Sequence, residues 1–152
     1  MSIDAKLAEL GLTLPEAPLP VAAYVPVVEA GGLLHFSGQL PFRDGMLMAG
    51  RLGQDRDEAY GYEAAKACGL SILAQIKKAA GSLDRVERIV KLGVFVSSTP
   101  DFTAQPKVAN GASELMVELF GEAGRHARSA VGVAVLPLGA AVEIDAIVAL
   151  KA

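Results

Sequence analysis

Apolar residues form short runs near both ends of the chain and helical stripes in its middle. Runs rich in valine, isoleucine and aromatic residues, bounded by glycine or proline, predict strands at 21–29, 33–37, 46–48 and 86–97, and two more within 128–150. Apolar residues at helical spacing predict helices over 57–80 and 106–120, after a short leading helix. This order, β-β-β-α-β-α-β-β, predicts an α+β fold with both long helices on one face of a sheet.

Residues 1–152 are predicted to form a single domain, because no repeat, low-complexity tract or linker divides them. Residues 1–20 form its short leading helix and a connector rich in proline. The dipeptide Asp44-Gly45 predicts a tight hairpin turn before the third strand. Pro26 predicts that the first strand lies at a sheet edge or carries a bulge, because proline cannot donate a ladder hydrogen bond.

The two final strands each carry a charge in an otherwise apolar run: Arg128 opens the first and Glu143 interrupts the second. A charge that enters a buried sheet must be paired or must meet a ligand. Ala130, Gly132 and Ala134 share a face with Arg128 and are small. The pattern therefore predicts a cleft with a floor of small residues and a guanidinium at its end.

The distance between the two charges limits how one ligand can reach both. If the final strands form a simple hairpin about Leu138, Arg128 pairs near Ala149 and Glu143 near Ala134. At about 3.3 Å per strand residue the two charges are then roughly 20 Å apart. Either the strands are not direct partners, or a second subunit completes the site.

Arg128 and Glu143 are the strongest candidates for chemistry. A guanidinium binds a carboxylate through two parallel hydrogen bonds, and a sheltered carboxylate can accept a proton from water and return it. The alternative is structural: both are edge charges, or they pair with each other or with Asp145. Cys68 lies within an apolar helix, which favours a core position.

Composition narrows the function classes. The hydrophobic fraction of 52% and the mean hydropathy of +0.39 exceed what one small domain needs, yet no uncharged run reaches membrane-spanning length, so the surplus predicts a subunit interface. With 14 basic and 17 acidic residues, binding to nucleic acid is disfavoured. One cysteine and two histidines at unsuitable spacing disfavour a metal site, and no phosphate-binding glycine motif is found. The single cysteine and the lack of a signal-like start predict a cytoplasmic protein.

Four segments together resemble the RidA/YjgF family. They are Tyr24-Val25, Ser37-Gly38-Gln39-Leu40-Pro41, the run from Arg128-Ser129-Ala130-Val131 to Leu136-Pro137, and Val142-Glu143-Ile144-Asp145-Ala146-Ile147. The similarity spans residues 21–150, and the spacing from the arginine to the glutamate matches without a gap. The resemblance implies a chorismate mutase-like fold of the bacillus type, assembled as a homotrimer around a closed β core with ligand clefts between subunits.

The resemblance also implies an activity, the deamination of reactive enamines and imines. Small 2-imino acids released by pyridoxal-phosphate dehydratases would be hydrolysed to 2-keto acids and ammonia, without a metal or organic cofactor. Arg128 would clamp the substrate carboxylate and Glu143 would orient or activate water. The resemblance assigns Tyr24, Ser37, Gly38 and Ala130, with Arg128, to substrate binding.

Some positions depart from the family pattern. Many members have a cysteine where Ala130 stands, so no thiol role carries over. The segment 101–120 is expanded by about two helical turns, and Asn110 within it is a candidate for the family's helix asparagine. Gly124-Arg125-His126 resembles a subgroup feature, and His126 either reaches the cleft mouth or lies exposed in a loop.

Two other functions remain open from the sequence. One is a non-catalytic trimer that binds small carboxylates or regulates a metabolic partner through Arg128. The other is an endoribonuclease, an activity attached by name to parts of the family, although the acidic balance and few aromatic residues give it little support. Glu143→Gln distinguishes an enzyme from a pure binder, and steep salt-dependent RNA binding would indicate the nuclease.

Overall fold

Five strands form the main sheet of the computed structural model, which describes residues 1–19 and 22–152. They are β1 (Val27–Ala30), β2 (Leu33–Gln39), β5 (Val86–Ser97), β6 (Ala127–Val133) and β7 (Val142–Leu150). A separate hairpin contains β3 (Phe42–Arg43) and β4 (Met46–Leu47). The order across the main sheet is β1-β2-β7-β5-β6, so β1 and β6 are its two edges.

Three α-helices lie in the described residues, and a side-chain cap begins two of them. They are α1 (Ile3–Glu9), α2 (Glu58–Ala80) and α3 (Gln105–Phe120). The Ser2 side chain accepts a hydrogen bond from the Ala5 amide at 3.1 Å, and the Asp57 side chain accepts one from the Tyr60 amide at 2.9 Å. Gly81 ends α2 with φ of 84°, in the left-handed region that glycine adopts without strain. Both predicted long helices are confirmed to within one residue at each end.

Both long helices pack on one face of the main sheet, and the core lies between them. Buried side chains of β5 and β7 alternate with more exposed ones, as Leu92 and Val94 do with Gly93 and Phe95. We call the other side of the sheet the open face. The α+β fold with two helices on one face is therefore confirmed.

A close helix crossing holds α2 against α3. A Cβ atom added at Gly111 would lie 2.0 Å from the carbonyl oxygen of Tyr62, which is backbone and cannot move aside. Nearby, the Tyr62 hydroxyl hydrogen-bonds the carboxylate of Glu114 on α3. This bond and the charge of Glu114 raise the pKa of Tyr62 to about 12. The crossing fixes the position of α3, and side chains of α3 contact Arg128.

The two final strands are not a hairpin. β5 lies between them and pairs in parallel with β6 and antiparallel with β7. A parallel pair needs a crossover connection, and α3 supplies it between β5 and β6. The sequence left two alternatives open, and the structure shows the first: the two final strands, β6 and β7, are not direct partners.

Two strand predictions were wrong in part. Strand β1 starts only at Val27; Tyr24 and Val25 precede it in a bend, since Pro26 cannot donate to a ladder, while its carbonyl still accepts from the Ser37 amide at 2.9 Å. Val21, the first residue of the predicted first strand, and Pro20, the last of the predicted connector, lie outside the described residues. The third strand pairs with β3 and not with the main sheet. Its predicted turn is confirmed, with positive φ at Asp44 and Gly45.

Candidate functional site

Arg128 lies near the start of the edge strand β6, with its guanidinium held by α3. Its Nη1 donates to Asn110 Oδ1 at 2.8 Å and to Ser113 Oγ at 3.1 Å, and its Nη2 donates to the Pro106 carbonyl at 3.3 Å. Asn110 and Ser113 are three residues apart, so both project from one side of the helix. Within the described ranges, Nε–H has no hydrogen-bond partner. We call Arg128, Asn110, Ser113 and the Pro106 carbonyl the β6 half-site.

The small residues beyond Arg128 do not leave the open floor that the sequence predicts. Ala130 packs against the core, and a Cβ at Gly132 would lie 2.7 Å from Ser98 Oγ and 2.8 Å from Gln105 Nε2. Gln105 starts α3 and donates to the carbonyl of Phe102 at 2.7 Å. The small side chains at 130 and 132 therefore let the start of α3 approach β6.

The contact between Ser113 and His126, beside Arg128, was not predicted from the sequence. His126 Nε2 lies 2.8 Å from Ser113 Oγ, and its Nδ1 lies 2.7 Å from the Gly124 carbonyl. Burial lowers the pKa of His126 and the Arg128 charge lowers it further, although the bond to Gly124 acts in the opposite direction. The helical spacing of Ser113 from Asn110 was visible in the sequence. Its contact with His126 depends on how the end of α3 turns back to β6.

Glu143 projects from β7 on the open face, next to Gly38 of β2. A Cβ at Gly38 would lie 2.1 Å from Glu143 Oε1, so the carboxylate occupies the space that any other residue would fill. Burial raises the pKa of Glu143 above its ordinary value, and the charge of Asp145 raises it further. A half-buried carboxylate with a raised pKa is suited to exchange a proton with water.

Tyr24, Ser37 and Gly38 line one small cleft of about 110 Å³. Ser37 Oγ donates to the Val25 carbonyl at 2.7 Å, which holds the bend before β1 against β2. Tyr24 is 53% exposed. We call Tyr24, Ser37, Gly38 and Glu143 the β2 half-site. The cleft is smaller than the roughly 300 Å³ at which ligand pockets begin, and Glu143 lies beside Gly38 but outside the lining of the cleft.

The two half-sites are far apart within one chain. Arg128 lies level with Leu92, whereas Glu143 lies level with Phe95 and Val131. Strands about 4.8 Å apart with about 3.3 Å per residue put the Cα atoms of Arg128 and Glu143 about 14 Å apart. Leu92 and Phe95 are an odd number of residues apart on β5, so the two charges also project from opposite faces of the sheet. A small ligand in one chain therefore cannot contact both.

Cys68 and His35 lie outside both half-sites. Cys68 is buried in α2, where its thiol donates to the Val142 carbonyl at 3.6 Å, and burial raises its pKa well above the ordinary value. His35 is exposed on the open face. Over residues 1–19 and 22–152, no three His, Cys, Asp or Glu side chains are grouped to hold a metal ion. Over the same ranges, every helix is too short or too polar to span a bilayer.

Nearly the whole chain is similar to known proteins. A family model described as YjgF/chorismate mutase-like, with endoribonuclease as its suggested activity, matches residues 4–149. Protein TCP17 of Trypanosoma cruzi is 54% identical over 98% of this chain and 94% of its own. A 2-iminobutanoate/2-iminopropanoate deaminase of Dermatophagoides farinae is 28% identical, over 92% of this chain and 95% of its own. The crystal structure of Atu1372 from Agrobacterium tumefaciens, a protein of unknown function, has a TM-score of 0.92 at 49% identity and covers 98% of this chain and 92% of that one.

Proposed function

The chain belongs to the YjgF/RidA family, and from that premise we propose that it hydrolyses small 2-imino acids to 2-keto acids and ammonia in a cleft between two copies. The observation that carries the proposal is the division of the candidate residues into two incomplete half-sites. One presents a guanidinium at the β6 edge, and the other presents a half-buried carboxylate beside β2. Each supplies what the other lacks for binding and hydrolysing an imino acid.

Arg128 is proposed to bind the substrate carboxylate. Its Nη1 is already occupied by Asn110 and Ser113, whereas Nε–H has no partner in the described part of the chain. Nε and Nη2 form the edge of a guanidinium that accepts a carboxylate side-on through two parallel hydrogen bonds. A substrate held in this way has its imine carbon at a fixed distance from the carboxylate, which sets where water must be delivered.

Glu143 is proposed to handle the proton of the attacking water. Water adds its oxygen to the imine carbon and the C=N π electrons move to nitrogen, giving a carbinolamine. Glu143 takes a proton from the water and gives it to the nitrogen, which becomes an amine. It then takes the hydroxyl proton of the carbinolamine and passes it to the nitrogen as the C–N bond breaks, the C=O bond forms and ammonia leaves. The raised pKa of Glu143 favours both steps, because the group must exist in both protonation states.

Tyr24, Ser37 and Gly38 complete the proposal as residues that shape the cleft, and Ala130, whose side chain packs against the core, would contribute through its backbone. Members of this family typically form trimers, and a homotrimer would bring the β6 edge of one copy to the β2 half-site of the next. Pyridoxal-phosphate dehydratases are the proposed source of the imines. A cytoplasmic location, favoured by the single cysteine, remains a prediction.

The experiment couples a pyridoxal-phosphate serine or threonine dehydratase to the protein and follows keto-acid formation where spontaneous imine hydrolysis is slow. We expect acceleration by the wild type, its loss in Arg128→Ala, and its loss in Glu143→Gln. Ser129→Ala is a matched control, since Ser129 adjoins Arg128 on β6 and projects from the other face. A folded wild type that gives no acceleration but binds the 2-keto acid would overturn the deaminase in favour of a carboxylate-binding protein.

A further inference from the structure

A continuous chain of hydrogen bonds extends from Arg128 into the protein. It passes from Arg128 Nη1 to Ser113 Oγ at 3.1 Å, from Ser113 Oγ to His126 Nε2 at 2.8 Å, and from His126 Nδ1 to the Gly124 carbonyl at 2.7 Å. The proposed deamination uses Arg128 but gives Ser113 and His126 no task. Both side chains are only partly accessible to solvent.

The chemistry of these groups defines where each hydrogen lies. A carbonyl oxygen only accepts, so Nδ1 of His126 carries the hydrogen that binds Gly124. In neutral imidazole Nε2 is then an acceptor, and the Ser113 hydroxyl must donate to it. The lone pairs of Ser113 Oγ are left to accept from Arg128, which can only donate. Each atom of the chain therefore has one role.

The state of His126 supports this assignment. Burial and the neighbouring Arg128 cation lower the pKa of His126, and both favour the neutral ring. A protonated ring would donate from Nε2 and release the Ser113 hydroxyl to rotate. The neutral ring instead fixes the hydroxyl in the orientation that Arg128 needs.

These hydrogen bonds restrain the Nη1 end of the Arg128 guanidinium and leave its Nε and Nη2 edge accessible. Asn110 and Ser113 both accept hydrogen bonds from Nη1, and the Pro106 carbonyl accepts one from Nη2 at 3.3 Å. Nε–H and the second Nη2 hydrogen lie on the opposite edge, the one that binds a carboxylate side-on. Without Ser113, the guanidinium would be held only by Asn110 and by the longer hydrogen bond to the Pro106 carbonyl.

We propose that Ser113 and His126 are positioning residues for the carboxylate clamp: His126 orients the Ser113 hydroxyl, which holds Arg128 with its Nε and Nη2 edge toward the ligand. This inference rests on the proposed function, since it gives the clamp a ligand carboxylate. Neither residue touches the ligand. Both act by keeping the arginine in its binding orientation before the ligand arrives.

The test measures the dissociation constant of 2-oxobutanoate by calorimetry, and KM and kcat in the dehydratase-coupled assay. We expect Ser113→Ala and His126→Ala to weaken binding and raise KM about five- to tenfold, the loss of about one hydrogen bond, with kcat changed less than about twofold. His126→Gln should recover most of the affinity because an amide oxygen can accept from Ser113. Ser129→Ala should leave both parameters unchanged.

A second measurement is independent of ligand and activity. The ¹H–¹⁵N correlation spectrum of arginine Nε–H groups, with the Arg128 signal assigned by its loss in Arg128→Lys, should show this signal shifted or broadened in Ser113→Ala and His126→Ala and restored in His126→Gln. An unchanged signal in both alanine variants overturns the positioning role. If the wild type neither binds 2-oxobutanoate nor accelerates deamination, the proposed function fails, and this spectrum still decides how Arg128 is held.

Discussion

The carboxylate of Glu143 lies directly over the Cα of Gly38, where a Cβ would come within 2.1 Å of Oε1. Gly38 and Glu143 belong to adjacent strands, β2 and β7, at the point where their pairing is irregular between Phe36 and Gln39. The irregular strand pairing and the absence of a side chain at Gly38 together make room for the Glu143 carboxylate. The position of Glu143 therefore depends on a glycine as much as on its own strand.

Gly38→Ala should displace the Glu143 carboxylate while leaving the fold intact, because the atoms it meets belong to a flexible side chain. We expect deaminase kcat/KM to fall by about a hundredfold, the typical cost of moving a reacting group by about 1 Å. Gly93→Ala is the comparison: its Cβ would meet Asp145 Oδ1 at 2.3 Å on the same open face, and its loss should be smaller because Asp145 acts on Glu143 only through its charge. Equal losses in the two variants, or none in Gly38→Ala, would contradict the role of Glu143.

Glu143→Gln should make the protein more stable at neutral pH. Burial and Asp145 raise the pKa of the folded carboxyl, so its contribution to stability is present below its unfolded value, about 4.3, and is lost as the pH rises through the folded value. Removing the charge should raise Tm relative to wild type at pH 7 and leave it unchanged near pH 4. Thermal unfolding across this range checks the sign, and a variant less stable than wild type at pH 7 would show it to be wrong.

Gly111→Ala should destabilise the helix pair by about 1–3 kcal/mol or more, because the added Cβ meets the Tyr62 backbone and cannot be accommodated by a side-chain rotation. Gly69→Ala is the comparison on α2. Its Cβ would meet Leu115 Cδ2 at 3.0 Å, and alanine gains about 1 kcal/mol of helix propensity. Urea unfolding should leave Gly69→Ala within about 1 kcal/mol of wild type. Similar losses in both variants would argue against the Gly111 contact.

Local signals were enough to predict most of the fold. Ser2, Asp57 and Gly81 are capping residues whose effect depends on the nearest turn of helix, and Asp44-Gly45 defines a hairpin by its own backbone preferences. These features need no knowledge of the rest of the chain. For the same reason the long helices were predicted almost to the residue.

What could not be predicted depends on contacts between distant segments. The insertion of β5 between β6 and β7 is decided by the packing of α3, and valine-rich runs 128–135 and 142–150 pair equally well with many partners. That insertion puts Arg128 and Glu143 on opposite faces. The Ser113–His126 contact likewise exists only once the end of α3 has turned back to β6.

The most direct test of the central claim mixes two inactive variants, Arg128→Ala and Glu143→Gln, and lets their subunits exchange. If each site takes Arg128 from one copy and Glu143 from another, random exchange gives about a quarter of the sites both residues, so about a quarter of wild-type deaminase activity should return. Mixing Arg128→Ala with the double variant should restore none. Activity in the first mixture no greater than in the separate variants would contradict a site built from two copies.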